Sequence, residues 1–483
     1  MTMKWAAAAL LTSAAVVFTP AAAQQSQQAE IEALKAQLKE LQRTVADLQK
    51  AQATAAPSWR GAPELSNRDA GLSFKPKGFA QFDAGYVGLP GDDLSGTLGP
   101  TDTGVSLNTG NLGFNARARR LVIGVEGSLG SGFGYNIEFN LAQGQIDYED
   151  ILLTYQRAGS PIQLRVGNLY PLSSLETMTS SLRTSFLERA SFTDAFNHNR
   201  RLGVAMAYAD PKDRWTLSGG LFSQPINDGS FNRTGWQASL RQTYSPKFGD
   251  DRLHLGLSYQ YRTNQRGAQN GRYRSRPLTQ VTDQRLVDTG QIAADGDQVI
   301  GVELGYLAKS LHFAAEGQKL WVRGYRPGRT FGINNGVGSG TTRFYTGDPS
   351  FWGGYAEAGY YLTGETRGYK AGRWDRTKVL KPIGKGGLGA VQLVGRVDVV
   401  DLSDRVEEGT STFPDFVNGG RQVGYQLGVN WLPIDNVRVS ANYDRVQVSG
   451  SALSVLVDAV PGKPLNQGDF GIDVFAARAQ VEF

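Results

Sequence analysis

The chain has 483 residues, a formal net charge of +5 and no cysteine, so it can hold neither a disulfide nor a thiolate metal site. A charge this small does not indicate nucleic acid or any other class of partner. Only 40% of the residues are hydrophobic. No run of residues reaches the roughly 18 consecutive apolar positions of a spanning helix, which argues against a helical membrane protein.

The N-terminus has the composition of a secretory signal peptide. Lys4 precedes an apolar run from Trp5 to Phe18, and three alanines at 21–23 supply the small residues expected before a cleavage site. We therefore expect residues 1–23 to be removed and the remaining chain to be exported.

Residues 24–52 predict an α-helical coiled-coil segment. Its apolar residues recur at alternating spacings of three and four, with no Gly or Pro between them: Ile31, Leu34, Leu38, Leu41, Val45 and Leu48. About three heptads are marginal alone but plausible when tethered to an oligomer. An amphipathic helix packed on its own domain is the alternative. Since the segment follows the signal directly, we expect it in the periplasm. Residues 53–76, with Pro57 and Pro63, read as a linker.

From residue 77 to the end the pattern predicts an all-β fold. Short segments alternate apolar and polar residues and are separated by Gly, Asn and Asp clusters. Aromatic residues lie at the ends of these segments, as they do in membrane-spanning strands. We expect sixteen strands, at 78–86, 114–128, 133–141, 148–156, 162–167, 202–209, 215–222, 235–244, 252–262, 299–307, 311–319, 353–362, 390–400, 422–432, 436–447 and 472–483.

The connections between these strands alternate between short and long. Short turns on the side of both chain ends and long loops on the other are typical of outer-membrane barrels. The last strand also ends on Phe483, as the closing strand of a bacterial outer-membrane protein does. The fold class we expect is a 16-stranded antiparallel transmembrane β-barrel over residues 77–483, with an aqueous lumen. The long connection 363–389 breaks the alternation.

Three basic segments could line that lumen. Residues 168–201 have the position of an inward-folding loop, and its arginines are candidates for the constriction: Arg183, Arg189, Arg200 and Arg201. Arg272, Arg274 and Arg276 alternate, so they would share one face of an extended segment. The connection 363–389 carries a further cluster that includes Lys370, Lys378 and Lys381. Solvated surface loops are the alternative for each segment.

Nothing in the chain predicts an enzyme, a metal site or a cofactor. The histidines are His198, His254 and His312, far apart and outside any catalytic or metal-binding motif. There is no phosphate-cradling glycine loop on a strand–helix turn.

Several stretches resemble the phosphate-selective porin O and P family. They are R-A-R-R-L-V-I-G-V-E-G at 117–127, S-L-E-T-M-T-S-S with F-L-E-R at 174–189, R-Y-R-S-R-P at 272–277, Y-Y-L-T-G-E-T-R-G-Y-K at 360–370, L-G-V-N-W at 427–431 and V-R-V-S-A-N-Y at 437–443. The resemblance implies a trimeric outer-membrane channel with an inward loop at its narrowest point. It assigns Arg119, Arg120, Arg189, Arg272, Arg274 and Arg276 to an arginine path and Lys370, Lys378 and Lys381 to a periplasmic lysine group.

One position departs from the family pattern. Phosphate-specific members carry a lysine directly after the Leu-Glu of the inward loop, where this chain has Thr177. We expect an anion-selective porin of phosphate or polyphosphate type in the outer membrane of a Gram-negative bacterium. Its partners would be two further copies of the chain, outer-membrane lipid and lipopolysaccharide, and small anionic solutes. A weakly selective general or sugar porin and a surface-binding barrel without a channel are the alternatives.

Overall fold

The computed structural model describes residues 28, 31–46, 58–59, 62–67, 69–91, 97–98, 106–226, 235–264, 271–292, 294–324, 348–404, 417–451, 453–457 and 468–483. The expected signal peptide lies outside this part of the chain. The molecule divides into two units, residues 1–58 and residues 59–483.

Helix α1 covers residues 31–46 of the first unit, within the segment where the heptad spacing predicts a helix. Its apolar stripe is exposed: Ile31, Leu34, Leu38, Leu41 and Val45 have relative exposures between 45% and 68%. Leu48 lies outside the described residues. No described helix has the length and apolar character needed to cross a membrane.

Within the described residues of the second unit, sixteen strands form one closed antiparallel sheet. They are β1 (Leu72–Val87), β2 (Gly113–Gly130), β3 (Phe133–Asn140), β4 (Asp147–Tyr155), β5 (Ile162–Leu169), β6 (Arg201–Ala209), β7 (Trp215–Phe222), β8 (Gln237–Tyr244), β9 (Asp251–Thr263), β10 (Gly296–Ala308), β11 (Leu311–Arg323), β12 (Ser350–Tyr361), β13 (Ala390–Asp404), β14 (Val417–Ile434), β15 (Val437–Ser451) and β16 (Asp469–Glu482). The sheet closes where β16 pairs with β1, from Val474↔Val87 to Glu482↔Phe79. The sixteen-stranded antiparallel barrel is thereby confirmed.

The barrel begins earlier than the sequence predicts. Leu72 and Phe74 extend the alternation of β1 below residue 77, and Pro63–Asn67 pairs with this extension through Leu65↔Phe74. The linker expected at 53–76 is therefore wrong for these residues. Pro63 in the sequence favours a linker, but a proline is also tolerated at the first residue of a strand.

Several short strands and helices lie outside the sixteen strands of the closed sheet. Two-residue strands lie at Ser58–Trp59, Thr97–Leu98, Leu107–Asn108, Lys247–Phe248, Arg274–Ser275 and Val287–Asp288, and three-residue strands at Gly368–Lys370 and Arg373–Asp375. The short helices are α2 (Leu175–Met178), α3 (Ser191–Phe196) and α4 (Ser454–Val457), with 3₁₀ turns at Thr109–Asn111 and Ala142–Gly144.

The wall of the barrel has a low side and a tall side. Strands β3 to β8 are 8 or 9 residues long, whereas the other ten strands have 12 to 18 residues. In β12 and β16 of the tall side, every second side chain is buried and the side chains between them are exposed or partly exposed. The exposed faces carry Leu, Val and aromatic residues, so the barrel presents an apolar surface outward.

The hydrophobic core lies inside the barrel, where loop segments pack against the tall side. Phe192, Phe196, Leu278 and Val281 are almost fully buried there. Inward-facing glycines make room for them, because a Cβ on Gly353 would stand 2.7 Å from Phe192 Cβ. The lumen is therefore filled on one side and left open on the other.

Candidate channel through the barrel

The segment 170–200 between β5 and β6 folds into the lumen. Arg183 donates both terminal guanidinium nitrogens to Glu482 of β16, at 2.8 and 2.6 Å. Arg478 of β16 donates to the Leu187 carbonyl and the Glu188 carboxylate. Near α3, the backbone N–H of Ser191 donates to Asp398 at 3.0 Å. These contacts tie the segment, called the inward loop below, to the tall wall.

A cavity of about 1180 Å³ remains between the inward loop and the low wall. It reaches from outer-loop residues such as Arg276 and Arg285 to the turn residues Lys370 and Arg376 on the other side of the barrel. Thirteen Lys and Arg side chains line it, against eight Asp and Glu. This cavity is the candidate channel.

Two consecutive arginines enter the cavity because of a β-bulge. Gln81 pairs with Arg120 and Phe82 pairs with Ala118, so Arg119 is an extra residue in β2. A bulge of this kind re-aims the side chains beside it. Arg119 meets Glu188 of the inward loop at 2.8 Å (Nε–Oε1), whereas Arg120 donates to the amide oxygen of Gln81 at 2.9 Å.

Arg189 of the inward loop also lines the cavity. Its Nε donates to the Glu176 carbonyl at 2.9 Å and its Nη2 to the Thr179 carbonyl at 2.8 Å. Tyr170 lies beside it, with the guanidinium carbon of Arg200 4.3 Å and that of Arg189 5.9 Å from its ring centre. Burial alone would raise the pKa of the Tyr170 phenol, but Arg200 and Arg189 outweigh it and lower the pKa. The local potential is therefore positive.

A second bulge presents carboxylates on the low wall. Ile137 pairs with Ile151 and Phe139 with Tyr148, so Glu149 and Asp150 together face one residue of β3. Arg200 forms ion pairs with both carboxylates. On the adjoining strands β1 and β2, Lys77 is paired with Glu126 at 3.0 Å and also with Glu138 of β3.

Ion pairing leaves an excess of free positive charge along the cavity. Of the described residues that line it, six cations have no carboxylate within ion-pair distance: Lys75, Arg120, Arg165, Arg189, Lys370 and Arg373. In the same set only two carboxylates lack a cation, Asp147 and Asp375. The unpaired charge is therefore mainly guanidinium and ammonium.

The long connection 362–389 forms the far end of the channel. Gly368–Lys370 and Arg373–Asp375 pair as a hairpin that turns into the barrel. Trp374 is 3% exposed, and its backbone N–H donates to Thr179 Oγ1 at 3.3 Å. Arg241 of β8 donates to the Gly372 carbonyl at 2.8 Å. The hairpin contacts both the wall and the inward loop, so a fully solvated turn, the alternative at this connection, is wrong.

Some of the residues singled out from the sequence line the cavity and others do not. The ones that line the cavity are Arg119, Arg120, Arg183, Arg189, Arg200, Arg276, Lys370 and Thr177. Arg201 instead donates to the Ser223 carbonyl at 3.1 Å. Lys378 and Lys381 are exposed and lie off the cavity wall. Arg201, Lys378 and Lys381 each come after a point where the chain reverses direction. Their side chains therefore need not point the same way as those of their sequence neighbours that line the cavity.

The outer arginine group is split as well. Arg272 forms an ion pair with Asp288 at 2.6 Å and Arg274 is exposed; neither is among the cavity-lining residues. Arg276 lines the cavity and is held by Asp194 at 3.5 Å and Asp283 at 3.3 Å. The alternation of the three arginines holds, because Tyr273 and Ser275 between them are buried. Of the three, Arg276 alone is among the residues that line the cavity.

The sequence did not single out four of the lining cations: Lys75, Lys77, Arg165 and Arg285. Arg373 and Arg376 also line the cavity and belong to the basic cluster expected in the connection 363–389. Arg165 could have been found, because it alternates with the exposed apolar residues Leu164 and Val166 in β5. A cation on the polar face of a barrel strand points into the lumen.

Thr177 lies in α2 at the cavity surface. Ser174 caps the helix by accepting the Thr177 N–H at 3.1 Å, and Asn197 donates to Thr177 Oγ1 at 2.9 Å. The side chain therefore presents a neutral, hydrogen-bonded hydroxyl at this point of the wall.

Comparison with known proteins supports a common ancestry for most of the chain. Residues 100–483 match a family model described as phosphate-selective porin O and P. An uncharacterized protein of Caulobacter vibrioides is 35% identical over 445 residues, covering 90% of this chain and 78% of that protein. Porin O of Pseudomonas aeruginosa is 26% identical over 447 residues, covering 88% and 91%.

Solved structures with a similar shape are more distant in sequence. The outer membrane channel DcaP of Acinetobacter baumannii has a TM-score of 0.47 at 12% identity and covers 86% of this chain and 98% of its own. The anion-selective porin from Comamonas acidovorans has a TM-score of 0.45 at 10% identity and covers 85% and 100%.

Proposed function

This chain belongs to the phosphate-selective porin O and P family, and from that premise we propose that it forms a water-filled, anion-preferring diffusion channel. The family and the closed barrel mark it as an outer-membrane porin of a Gram-negative bacterium, a channel rather than an enzyme. The anion preference and the solute belong to the proposal.

The observation that carries the proposal is the excess of unpaired cations along the cavity. Six cationic side chains against two carboxylates lack an ion-pair partner among the described lining residues. Paired charges largely cancel at a distance, whereas unpaired charges on a low-dielectric wall focus the field into the water column. Of these six, Arg189 belongs to the inward loop and Arg120 lies on the barrel wall beside it. The electric field at the inward loop therefore favours anions.

Permeation is passive in this account. An anion that enters past Arg276 and Arg285 meets Arg120 and Arg189 beside the loop and leaves past Arg373 and Lys370. Guanidinium N–H groups replace part of its hydration shell. Conduction also requires that each site release the ion readily. Several weak sites in series meet that condition, and Arg120 and Arg189 are each shared with an amide or carbonyl oxygen.

Inorganic phosphate or short polyphosphate is the solute we propose. Phosphate matches the fork of a guanidinium, which is the group that Arg120, Arg165 and Arg189 contribute. Thr177 supplies a hydroxyl rather than a charge, so the channel should bind phosphate less tightly than it would with an ammonium there.

A weakly selective pore is the second candidate, and an acidic patch on β2, β3 and β4 favours it. Glu126, Glu138, Glu149 and Asp150 lie along the same cavity as the arginines. If Lys77 and Arg200 neutralise this patch only in part, cations also pass and the arginines merely bias the current.

We further propose that three copies assemble through the low wall. Strands of eight residues tilted by 35–45° cover only about 20 Å, less than the roughly 25 Å apolar band of an outer-membrane barrel. A neighbouring copy would shield this face from lipid. The exposed apolar stripe of α1 supports the same assembly, because a heptad stripe is buried when copies of the helix associate.

The lengths of the connections indicate which end of the barrel faces the periplasm. Two-residue connections at Ser131–Gly132 and Lys309–Ser310 lie on the side of both barrel ends, and short turns of this kind face the periplasm. In this proposal residues 1–23 are cleaved and α1 remains in the periplasm.

Planar-bilayer recording tests the channel. We expect ohmic steps in groups of three, a reversal potential in a KCl gradient that favours chloride, and a fall in chloride current when phosphate is added. A reversal potential that favours potassium would overturn the anion preference. Steps without phosphate block would favour the weakly selective pore, and absence of steps would favour a barrel without a channel.

A further inference from the structure

The outer face of the tall wall carries a row of polar residues where the barrel is otherwise apolar. Lys319 pairs with Trp352, Trp352 with Asp401 and Asp401 with Arg421, so the four lie side by side on β11 to β14. We call them the outer row. With strands 4.7–4.9 Å apart, the Cα atoms of Lys319 and Arg421 are separated by about 14 Å.

All four side chains point away from the lumen. Lys319 shares its face of β11 with the exposed Phe313 and Trp321, and Arg421 shares its face of β14 with the exposed Tyr425 and Leu427. Their neighbours Leu320 and Gln422 are fully buried on the inner side. The outer row therefore belongs to the surface that faces the membrane.

The position of the row along the strands puts it at the level of headgroups. Lys319 is four residues from the loop end of β11, and Trp352 is two residues from the loop end of β12. A charge on the lipid face is costly at the midplane and tolerated at the interface, where Trp and Tyr also collect. The row thus lies in the aromatic girdle on the side of the long loops.

The two cations of the row lie on either side of Trp352 and Asp401. Within the described part of the chain, no carboxylate lies within ion-pair distance of Lys319 or Arg421, and Arg421 is 5.9 Å from the Trp352 ring centre. Asp401 accepts the backbone N–H of Ser403 at 3.0 Å. By contrast Arg445 of β15, also on the outer face, is satisfied by Asp473 at 2.9 Å.

We propose that the outer row binds the phosphorylated sugar headgroup of lipid A in the outer leaflet. A headgroup with a phosphate at each end of a disaccharide places two anions where Lys319 and Arg421 place two unpaired cations. Trp352 between them offers a flat ring to the sugar. The inference rests on the orientation in the proposed function, since the long loops must face the lipopolysaccharide leaflet.

The test compares lipid A binding to the trimer in phosphatidylcholine nanodiscs, with Lys319→Gln/Arg421→Gln set against the wild type. We expect the double variant to bind diphosphoryl lipid A about tenfold more weakly. Lys212→Gln/Arg157→Gln is the matched control, because it removes two exposed cations from the opposite turns and should bind like the wild type. Monophosphoryl lipid A should bind the wild type more weakly than the diphosphoryl form.

Equal binding by the wild type and the Lys319→Gln/Arg421→Gln variant would overturn the site, and so would an equal loss in the control. Channel recordings on the same preparations keep the two proposals separate. Both double variants should conduct with unchanged reversal potential, because none of the four residues lines the cavity. A wild type that binds lipid A and fails to conduct would contradict the channel alone.

Discussion

Arg119 of the barrel wall and Glu188 of the inward loop form a two-pronged ion pair, with Nε to Oε1 at 2.8 Å and Nη2 to Oε2 at 3.1 Å. Arg478 donates to the same carboxylate at 2.7 Å. Burial alone would raise the pKa of Glu188, but Arg119 and Arg478 hold that pKa well below its usual range. One carboxylate therefore anchors the loop between two strands.

Replacing Glu188 by Gln should loosen the loop and strengthen anion preference. The change leaves the partly buried Arg119 without its carboxylate, whereas Arg478 keeps its ion pair with Asp83 at 2.6 Å. Losing one partner of such a pair costs about 3 kcal/mol of stability. Arg119, which lines the cavity, gains an unpaired charge. We expect a lower thermal unfolding midpoint and a larger chloride-to-potassium permeability ratio. Asp210→Asn, at an exposed turn where it pairs with Arg214, should change neither; an unaltered ratio in Glu188→Gln would contradict the role given to Arg119.

His198 of the inward loop should contribute to the pH dependence of stability. Burial and the nearby Arg262 and Arg201 lower its pKa well below the ordinary value. It is therefore neutral in the folded chain and protonated in the unfolded chain below about pH 6.5. The unfolded state then binds more protons, so stability should fall by up to 1.4 kcal/mol per pH unit below about pH 6.5.

Selectivity should stay constant over the same pH range, because neither neutral His198 nor ionised Glu188 changes its charge. The depressed pKa of Glu188 means that its contribution is present above its unfolded pKa and is lost only in strong acid. Unfolding midpoints and reversal potentials measured between pH 8 and 5 check both statements. His198→Gln should make the fall in stability toward low pH less steep; a slope equal to that of the wild type would contradict the role given to His198.

The sequence could predict the strands but not the pairing of the charges. Alternation located all sixteen strands, and the parity of loop lengths agrees with the observed connections. Which arginines are neutralised depends on contacts across the barrel, such as Arg183 with Glu482, 299 residues apart. No local pattern encodes such a contact. The Arg119–Arg120 dipeptide was a usable signal, since two charged neighbours in an alternating strand predict a bulge.

Arg189 should set selectivity more strongly than Arg274, although both belong to the expected arginine path. Arg189 lines the cavity and has no carboxylate within ion-pair distance among the residues that the structure describes, whereas Arg274 lies off the cavity. We expect Arg189→Gln to lower the chloride-to-potassium permeability ratio by about twofold, because the field beside the loop weakens. Arg274→Gln is the matched control and should leave the reversal potential where it is. A larger effect of Arg274→Gln than of Arg189→Gln would indicate that the outer loop, and not the inward loop, sets the selectivity.

Thr177→Lys should tighten phosphate block. Thr177 is 4% exposed, its hydroxyl bonds to Ser174 and Asn197, and it is among the residues that line the cavity. We therefore expect the longer side chain of lysine to extend past these partners into the cavity. An ammonium there is worth on the order of 1 kcal/mol after screening, which corresponds to about fivefold tighter block of the chloride current. Thr177→Met adds length without charge and should not tighten the block. Equal effects of Lys and Met would indicate a narrowing of the channel in place of anion binding.

The exposed stripe of α1 should hold the assembly together without affecting conduction. Leu38 and Leu41 are 61% and 68% exposed in the helix, an exposure that association of three copies would remove. We expect Leu38→Asn/Leu41→Asn to reduce the fraction of trimer on native gels after detergent extraction. Lys39→Gln, on the polar face of the same helix, should leave that fraction unchanged. The conductance of each channel should also be unchanged, because the cavity is built from the barrel unit alone. Full trimer recovery in the double variant would show that the barrel walls suffice for assembly and that α1 has another partner.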